Sequence, residues 1–225
     1  VMVCYGGDGT LLEGVHRLDG RELPVIGVNS GHLGFLAMAP KENIESIFDE
    51  IAAGNLKLER RSMLEISGIP GIGKQSLHAL NESAVQRLGA TMISINTYVD
   101  GQMTATYNGN GVIISTPTGS TAYSLSAGGP IITPACNCLA ISPLSAHNLA
   151  IRPLVVPDSS EIRLEIDTRE TPATVSADNR TYEITGHVSL TVKRAQRSIF
   201  LAVPHNISFY DTLRNKMMWG VDVRM

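Results

Sequence analysis

Apolar and polar residues change their rhythm once along this chain. In the first part, continuous apolar runs alternate with helical stripes. Val1-Met2-Val3-Cys4-Tyr5 and Leu23-Pro24-Val25-Ile26-Gly27-Val28 are runs of the kind that strands buried on both faces carry. Leu11, Leu12 and Val15 between them recur at helical spacing, and Asn29 to Gly34 is a turn. Ile44, Ile47, Phe48 and Ile51 then fall at i, i+3, i+4 and i+7, which predicts a helix over Pro40 to Ala53. Gly54-Asn55 stops it. Strand, turn, helix, repeated, is half of a parallel α/β unit.

From about Leu56 the period becomes two. Ile93, Ile95, Thr97 and Val99 share one face, and Asp100-Gly101 before Met103 is a hairpin signal. Ile162, Leu164 and Ile166 alternate with charged residues, and Val188, Leu190 and Val192 with Ser and Thr. This is the pattern of an antiparallel, half-buried sheet. Phe209, Leu213 and Met217 return to helical spacing. The reading is α/β plus all-β: a Rossmann-like α/β domain over residues 1–55, joined by 206–225, and a β-sandwich-type domain over 56–205. Because the chain opens inside a strand, with no leader before it, α/β structure is expected to precede residue 1.

At 225 residues and 43% hydrophobic, the chain can bury a sizeable core. Its net charge of -3 argues against nucleic acid held by phosphate neutralisation. No apolar run reaches the roughly eighteen residues a membrane helix needs, so no membrane partner is expected. Cys4, Cys136 and Cys138 form no disulfide framework and read as reduced thiols in a cytoplasmic setting. The six histidines show no pair at zinc-ligand spacing, so no metal-ligating set is assigned.

Three segments carry candidate chemistry. Gly6-Gly7-Asp8-Gly9-Thr10 joins a strand to a helix. Glycines there let backbone N–H groups approach an anion, most often a phosphate. Asp8 either caps the helix or, beside phosphates, holds a divalent cation or orients a hydroxyl. The second segment runs from Pro117 to Pro130 and is crowded with small and hydroxylic residues. It reads as a capped short helix or as a polar ligand cradle, with Tyr123 offering a ring for stacking. The third is Asn81-Glu82, an amide and a carboxylate suited to ribose hydroxyls.

Together these segments resemble the NAD kinase family. The resemblance is carried by Gly6 to Thr10, Asn29 to Leu36, Leu80-Asn81-Glu82, the Thr-Pro-Thr-Gly-Ser-Thr-Ala-Tyr core within Ser115 to Pro130, Ile151 to Leu154, and Leu213 to Gly220. It implies two domains with the active site in the crevice between them. It implies ATP, another nucleoside triphosphate or polyphosphate as donor, with Mg²⁺ or a similar divalent cation. The acceptor it implies is the 2′-hydroxyl of the adenosine ribose of NAD. Asp8 would be the catalytic acid-base residue and Gly9 would line the phosphates. Asn81, Glu82, Asn108, Asn110, Ser120, Thr121, Ala122, Tyr123 and Ser126 would bind nucleotide, and Arg180 would lie near it. Family members are commonly homodimers or homotetramers. The sequence departs from the family at Glu13, Thr91, Asn108 and Asn110, the last usually an Asp. These departures keep two alternatives open: a weakened nucleotide-binding homologue, and a kinase with a lipid or sugar-phosphate acceptor.

Overall fold

The computed structural model describes residues 1–169, 171–205 and 207–220. In chain order the elements are β1 (Met2–Tyr5), α1 (Asp8–Arg17), β2 (Val25–Asn29), β3 (Ala39–Pro40), α2 (Ile44–Ala53), β4 (Lys57–Ser67), β5 (Leu77–Ala79), β6 (Glu82–Arg87), β7 (Ile93–Val99), β8 (Gln102–Gly109), β9 (Gly111–Ser115), α3 (Tyr123–Ser126), β10 (Cys138–Leu144), β11 (Leu154–Pro157), β12 (Ile162–Asp167), β13 (Ala173–Ala177), β14 (Arg180–Ile184), β15 (His187–Val203) and α4 (Phe209–Met217). They form two compact units, Val1–Arg61 with Ser198–Met225, and Ser62–Arg197.

In the first unit β2 is the central strand. It pairs in parallel with β1, with β3 and with the end of β15. All of its residues are buried, which is why its sequence is apolar without alternation. Ile26 and Val28 pack with Ala39, Ile47 and Ala202. Phe48, read as part of the apolar stripe of α2, stays 52% exposed because that helix buries only the Ile47 edge of the stripe. The C-terminal helix α4 opens with a capping box between Ser208 and Asp211. It ends at Met217, since Met218 turns left-handed at φ 51°. Of the closing segment 206–225, residues 206 and 221–225 lie outside the described residues.

The second unit is a sandwich of two antiparallel sheets. One runs from β15 through β12 and β7 to β8. The other has the order β11-β10-β9-β6-β13-β14. The period-two pattern explains the layering. Ile162, Leu164 and Ile166 from the first sheet pack against the same core as Val85, Ile114, Ile141 and Val175 from the second. Strand β9 is buried along its whole length, and that delivers the loop after Ser115 from a fixed point.

Candidate functional site

In the first unit, the Gly6–Thr10 loop leaves β1 and enters α1. Gly7 is the N-cap, and no side chain caps the helix. Asp8 is therefore not the cap that the loop alone allowed. Its carboxylate reaches a distant turn instead: Oδ2 accepts from the Phe35 N–H at 3.0 Å, and Oδ1 from Leu36 and Ala37 at 3.0 and 2.9 Å. A Cβ on Gly34 would lie 1.9 Å from Asp8 Oδ1, so only glycine leaves room for the carboxylate there. Open space surrounds Gly7 and Gly9, as close approach of a ligand to the backbone requires.

Lys216, on α4, places Nζ 3.7 Å from Asp8 Oδ2 and 5.2 Å from the Phe35 ring centroid. The sequence reading missed it. It lies within the Leu213 to Gly220 segment that carries the resemblance, but a basic residue in the last turn of a helix normally means no more than a favourable helix end.

In the second unit, Asn81 and Glu82 lie where β5 breaks and β6 begins. Asp178, in the turn between β13 and β14, accepts from the N–H groups of Leu80 at 2.7 Å, Asn81 at 2.8 Å and Glu82 at 3.2 Å. Thr116 adds two more ties: its hydroxyl donates to Leu80 O at 2.6 Å and its N–H to Asn81 O at 2.9 Å. A Cβ on Gly119 would meet Asn81 O at 2.1 Å, so the Thr118–Thr121 turn packs directly on the Asn81 backbone.

With the backbone so engaged, the side chains are left with unused capacity. Asn81 Oδ1, Glu82 Oε2 and Arg180 Nε are buried without a hydrogen-bond partner. Burial, reinforced by the neighbouring Asp178 carboxylate, pushes Glu82 up to about 8. The Tyr123 backbone N–H pulls the other way. Buried polar atoms normally find partners, and Asn81 and Glu82, adjacent in sequence, each leave one unused.

The remaining expected residues are placed as follows. Ser120 is fully buried and serves the loop, its hydroxyl donating to Pro117 O at 2.7 Å and accepting from Ile132 N at 2.9 Å. Thr121 and Ala122 are partly exposed, and Ser126 is exposed. Tyr123 is 37% exposed, with its hydroxyl hydrogen-bonded to Gln86 on β6. Arg180 Nη2 donates to His78 O. Asn108 and Asn110 lie elsewhere. Asn110 Oδ1 accepts from Arg87 Nε at 2.6 Å, at the opposite end of β6 from Glu82, about 16 Å along the strand at ~3.3 Å per residue. Asn108 O accepts from His147 N at 2.8 Å.

Comparison with known proteins gives the family. The ATP-NAD kinase N-terminal domain profile matches residues 1–56, and the ATP-NAD kinase C-terminal domain profile matches residues 80–204. The chain belongs to the NAD kinase family. The NAD kinase of Cytophaga hutchinsonii is 40% identical over 225 residues, which is 100% of this chain and 77% of that protein. That of Bacteroides fragilis is 41% identical over 226 residues, 100% of this chain and 78% of that protein. Among solved structures, yeast NADH kinase complexed with NADH superposes with a TM-score of 0.91 at 25% identity, over 99% of this chain and 68% of that one. An NAD kinase from Archaeoglobus fulgidus in complex with ATP gives 0.80 at 28% identity, over 96% and 80%. The family read from the motifs, and its α/β-plus-β architecture, are thereby borne out.

Proposed function

We propose that this protein phosphorylates NAD on the 2′-hydroxyl of its adenosine ribose, using ATP as donor and giving NADP. One observation carries the proposal: the three buried, unpartnered polar atoms of Asn81, Glu82 and Arg180, beside a Thr116–Ser126 loop that keeps the family's residues. A nucleoside with hydroxyl and amide groups supplies what those atoms lack. Tyr123 offers an exposed ring for stacking, and Thr121, Ala122 and Ser126 provide small, accessible flanks.

The phosphate chemistry is assigned to the Asp8 loop. Phosphoryl transfer is chiefly positioning and charge stabilisation. Gly7 and Gly9 leave their backbone open to the triphosphate, and Lys216 brings a cation beside it. Asp8 Oδ1 already accepts two N–H groups and Oδ2 one, so Oδ2 keeps a lone pair. That is the atom assigned to receive the proton of the attacking 2′-hydroxyl.

Among the described residues, no cluster of three or more His, Cys, Asp or Glu is placed to hold a metal ion. Mg²⁺ usually keeps several waters and binds largely through substrate phosphates, so a cation that arrives with the nucleotide needs no such cluster. When bound, it would neutralise charge on the transferring phosphates.

Within one chain Asn108 lies on β8 and Asn110 just after it, the latter beside Arg87 at the end of β6 away from Glu82. Their assignment as nucleotide-binding residues therefore goes with a homo-oligomer in which they serve a neighbouring copy. No helix among the described residues is long and apolar enough to cross a membrane. Free Cys4, Cys136 and Cys138 fit the reducing cytoplasm, which is the compartment proposed. The deciding experiment follows NADP formation from NAD, ATP and Mg²⁺. Absence of NADP with folded protein, or equal turnover of a lipid or sugar-phosphate acceptor, overturns the assignment.

A further inference from the structure

We infer that Asp178 is a positioning residue for nucleotide recognition: it holds the backbone of residues 80–82 in place and fixes Glu82 as a hydroxyl-donating partner of the ligand. The inference rests on the nucleotide-binding reading of Asn81 and Glu82.

The geometry is specific. Asp178 stands at φ 52°, a left-handed conformation that Asp and Asn tolerate best among residues with a Cβ. From there its carboxylate receives three consecutive N–H groups, Leu80, Asn81 and Glu82, and its own N–H returns to Glu82 O at 2.9 Å. Four hydrogen bonds thus join the β13–β14 turn to the β5–β6 break. The side chains of Asn81 and Glu82 take no part, which leaves them free to meet a ligand.

The charged and titratable neighbours settle which carboxyl group keeps its proton. Burial leaves Asp178 raised on balance, against the opposing pull of three N–H donors and Arg180. Glu82 has one N–H, from Tyr123 on α3, and faces the Asp178 charge from the β13–β14 turn. Across β9, Glu82 pairs with Ser115, which brings no charge. His78 on β5 is lowered by burial and by Arg197 and Arg180, with Glu65 pulling the other way. Two adjacent buried carboxyls do not both ionise, and the better-solvated anion is Asp178. Glu82 therefore meets the ligand as an acid, with one O–H donor and one carbonyl acceptor. It can give a hydrogen bond to a ribose oxygen, which a carboxylate cannot.

The test compares wild type with Asp178→Asn, which keeps the left-handed turn and an acceptor oxygen but loses the charge. KM and kcat for NAD are measured from pH 6 to 9.5. In wild type, NAD KM is expected to rise through an inflection near the Glu82 titration. In Asp178→Asn that inflection should move down by about one pH unit or more, the usual size of a like-charge effect, with kcat changing less than KM. Carboxyl ¹³C resonances of wild type, assigned with Glu82→Gln, are followed in parallel. Glu82 should titrate far above the usual carboxylate range, and the Asp178 resonance should carry the same step. A folded Asp178→Asn with the wild-type inflection overturns the inference. So does an ordinary Glu82 titration, or an Asp178 resonance blind to it, and these decide the matter if the variant does not fold. The NMR readout needs no turnover, so failure of the kinase assignment and failure of this inference are distinguishable.

Discussion

The backbone N–H of Thr116 donates to the carbonyl of Asn81 at 2.9 Å. Through this bond two motifs that lie well apart in sequence become one structure. The Ser/Thr-rich loop does not merely follow β9; it is fastened to the strand break that carries Asn81 and Glu82.

Gly119 lets the two segments approach this closely. Gly119→Ala would place a methyl 2.1 Å from Asn81 O and 2.4 Å from its carbonyl carbon. These are backbone atoms that cannot rotate away. Overpacking of this kind costs about 1–3 kcal/mol. We expect a folded but destabilised variant, measurable by urea denaturation, whose KM for NAD rises because Asn81 is displaced. Wild-type stability and KM together would show that the loop and Asn81 do not depend on this contact.

Asp8 carries two duties, so its substitution must be read with care. Asp8→Asn keeps an acceptor for Leu36 and Ala37 but turns an NH₂ toward the Phe35 N–H. We expect kcat to fall at least about a hundredfold, the low end for losing a general base. Loss of one hydrogen bond at a partly exposed site should cost about 1 kcal/mol. Near-full turnover removes Asp8 from the chemistry. A collapse of kcat with an equally large loss of stability would show that it acts only through the Phe35–Ala37 turn.

Lys216→Met separates the cation from its helix. The pair with Asp8 is long and its lysine 39% exposed, so it contributes at most about 1 kcal/mol to stability. A hydrogen bond to a phosphate is worth more, about 1.5 kcal/mol at the low end, or roughly tenfold in affinity. The expected result is a nearly unchanged melting temperature with a KM for ATP raised about tenfold. Unchanged KM for ATP would make Lys216 a helix-end residue and nothing further.

Glu82 gives a prediction that needs no substrate. Its ordinary value is 4.5 and the fold raises it to about 8. Between those values the unfolded chain is ionised at Glu82 while the folded chain holds the proton. Folding stability from this group is therefore full below about 4.5 and is lost as pH rises toward 8, then stays level. The slope is about 1.4 kcal/mol per pH unit for one proton. Glu82→Gln should flatten that part of the stability-pH curve and outlast wild type at pH 9. Parallel curves for the two proteins would mean that Glu82 ionises normally in the fold.

The elements were legible where burial leaves a period in sequence. Ile162, Leu164 and Ile166 alternate because one face of β12 meets the core. The Asp100-Gly101 turn announced the β7–β8 hairpin, and it pairs Val99 with Gln102. The site was legible only in its side chains. That Asp8 binds the 35–37 turn could not be read, because the donors are backbone N–H groups that any residue supplies. The same holds for Asp178 and residues 80–82. Such pairings leave little more than one acid in the sequence, at separations set by topology.

Asn110 shows how structure changes an expectation drawn from motif alone. As the residue standing where the family usually has Asp, it suggests that Asn110→Asp should tighten NAD binding. Its Oδ1, however, is engaged by Arg87 Nε at 2.6 Å, far along β6 from Glu82. An introduced carboxylate would first strengthen that bond. The present bond already has the charged Arg87 donor, so the gain is that of a partly exposed ion pair, about 0–1 kcal/mol. We therefore expect Asn110→Asp to melt higher than the parent. Its KM for NAD should fall only at concentrations where the chain is assembled into the proposed homo-oligomer, because only a neighbouring copy's nucleotide is then within reach. KM measured on both sides of the assembly midpoint, located by sedimentation velocity, tests this. A lowered KM for NAD in the monomer would put Asn110 in its own chain's site and overturn the shared-site assignment.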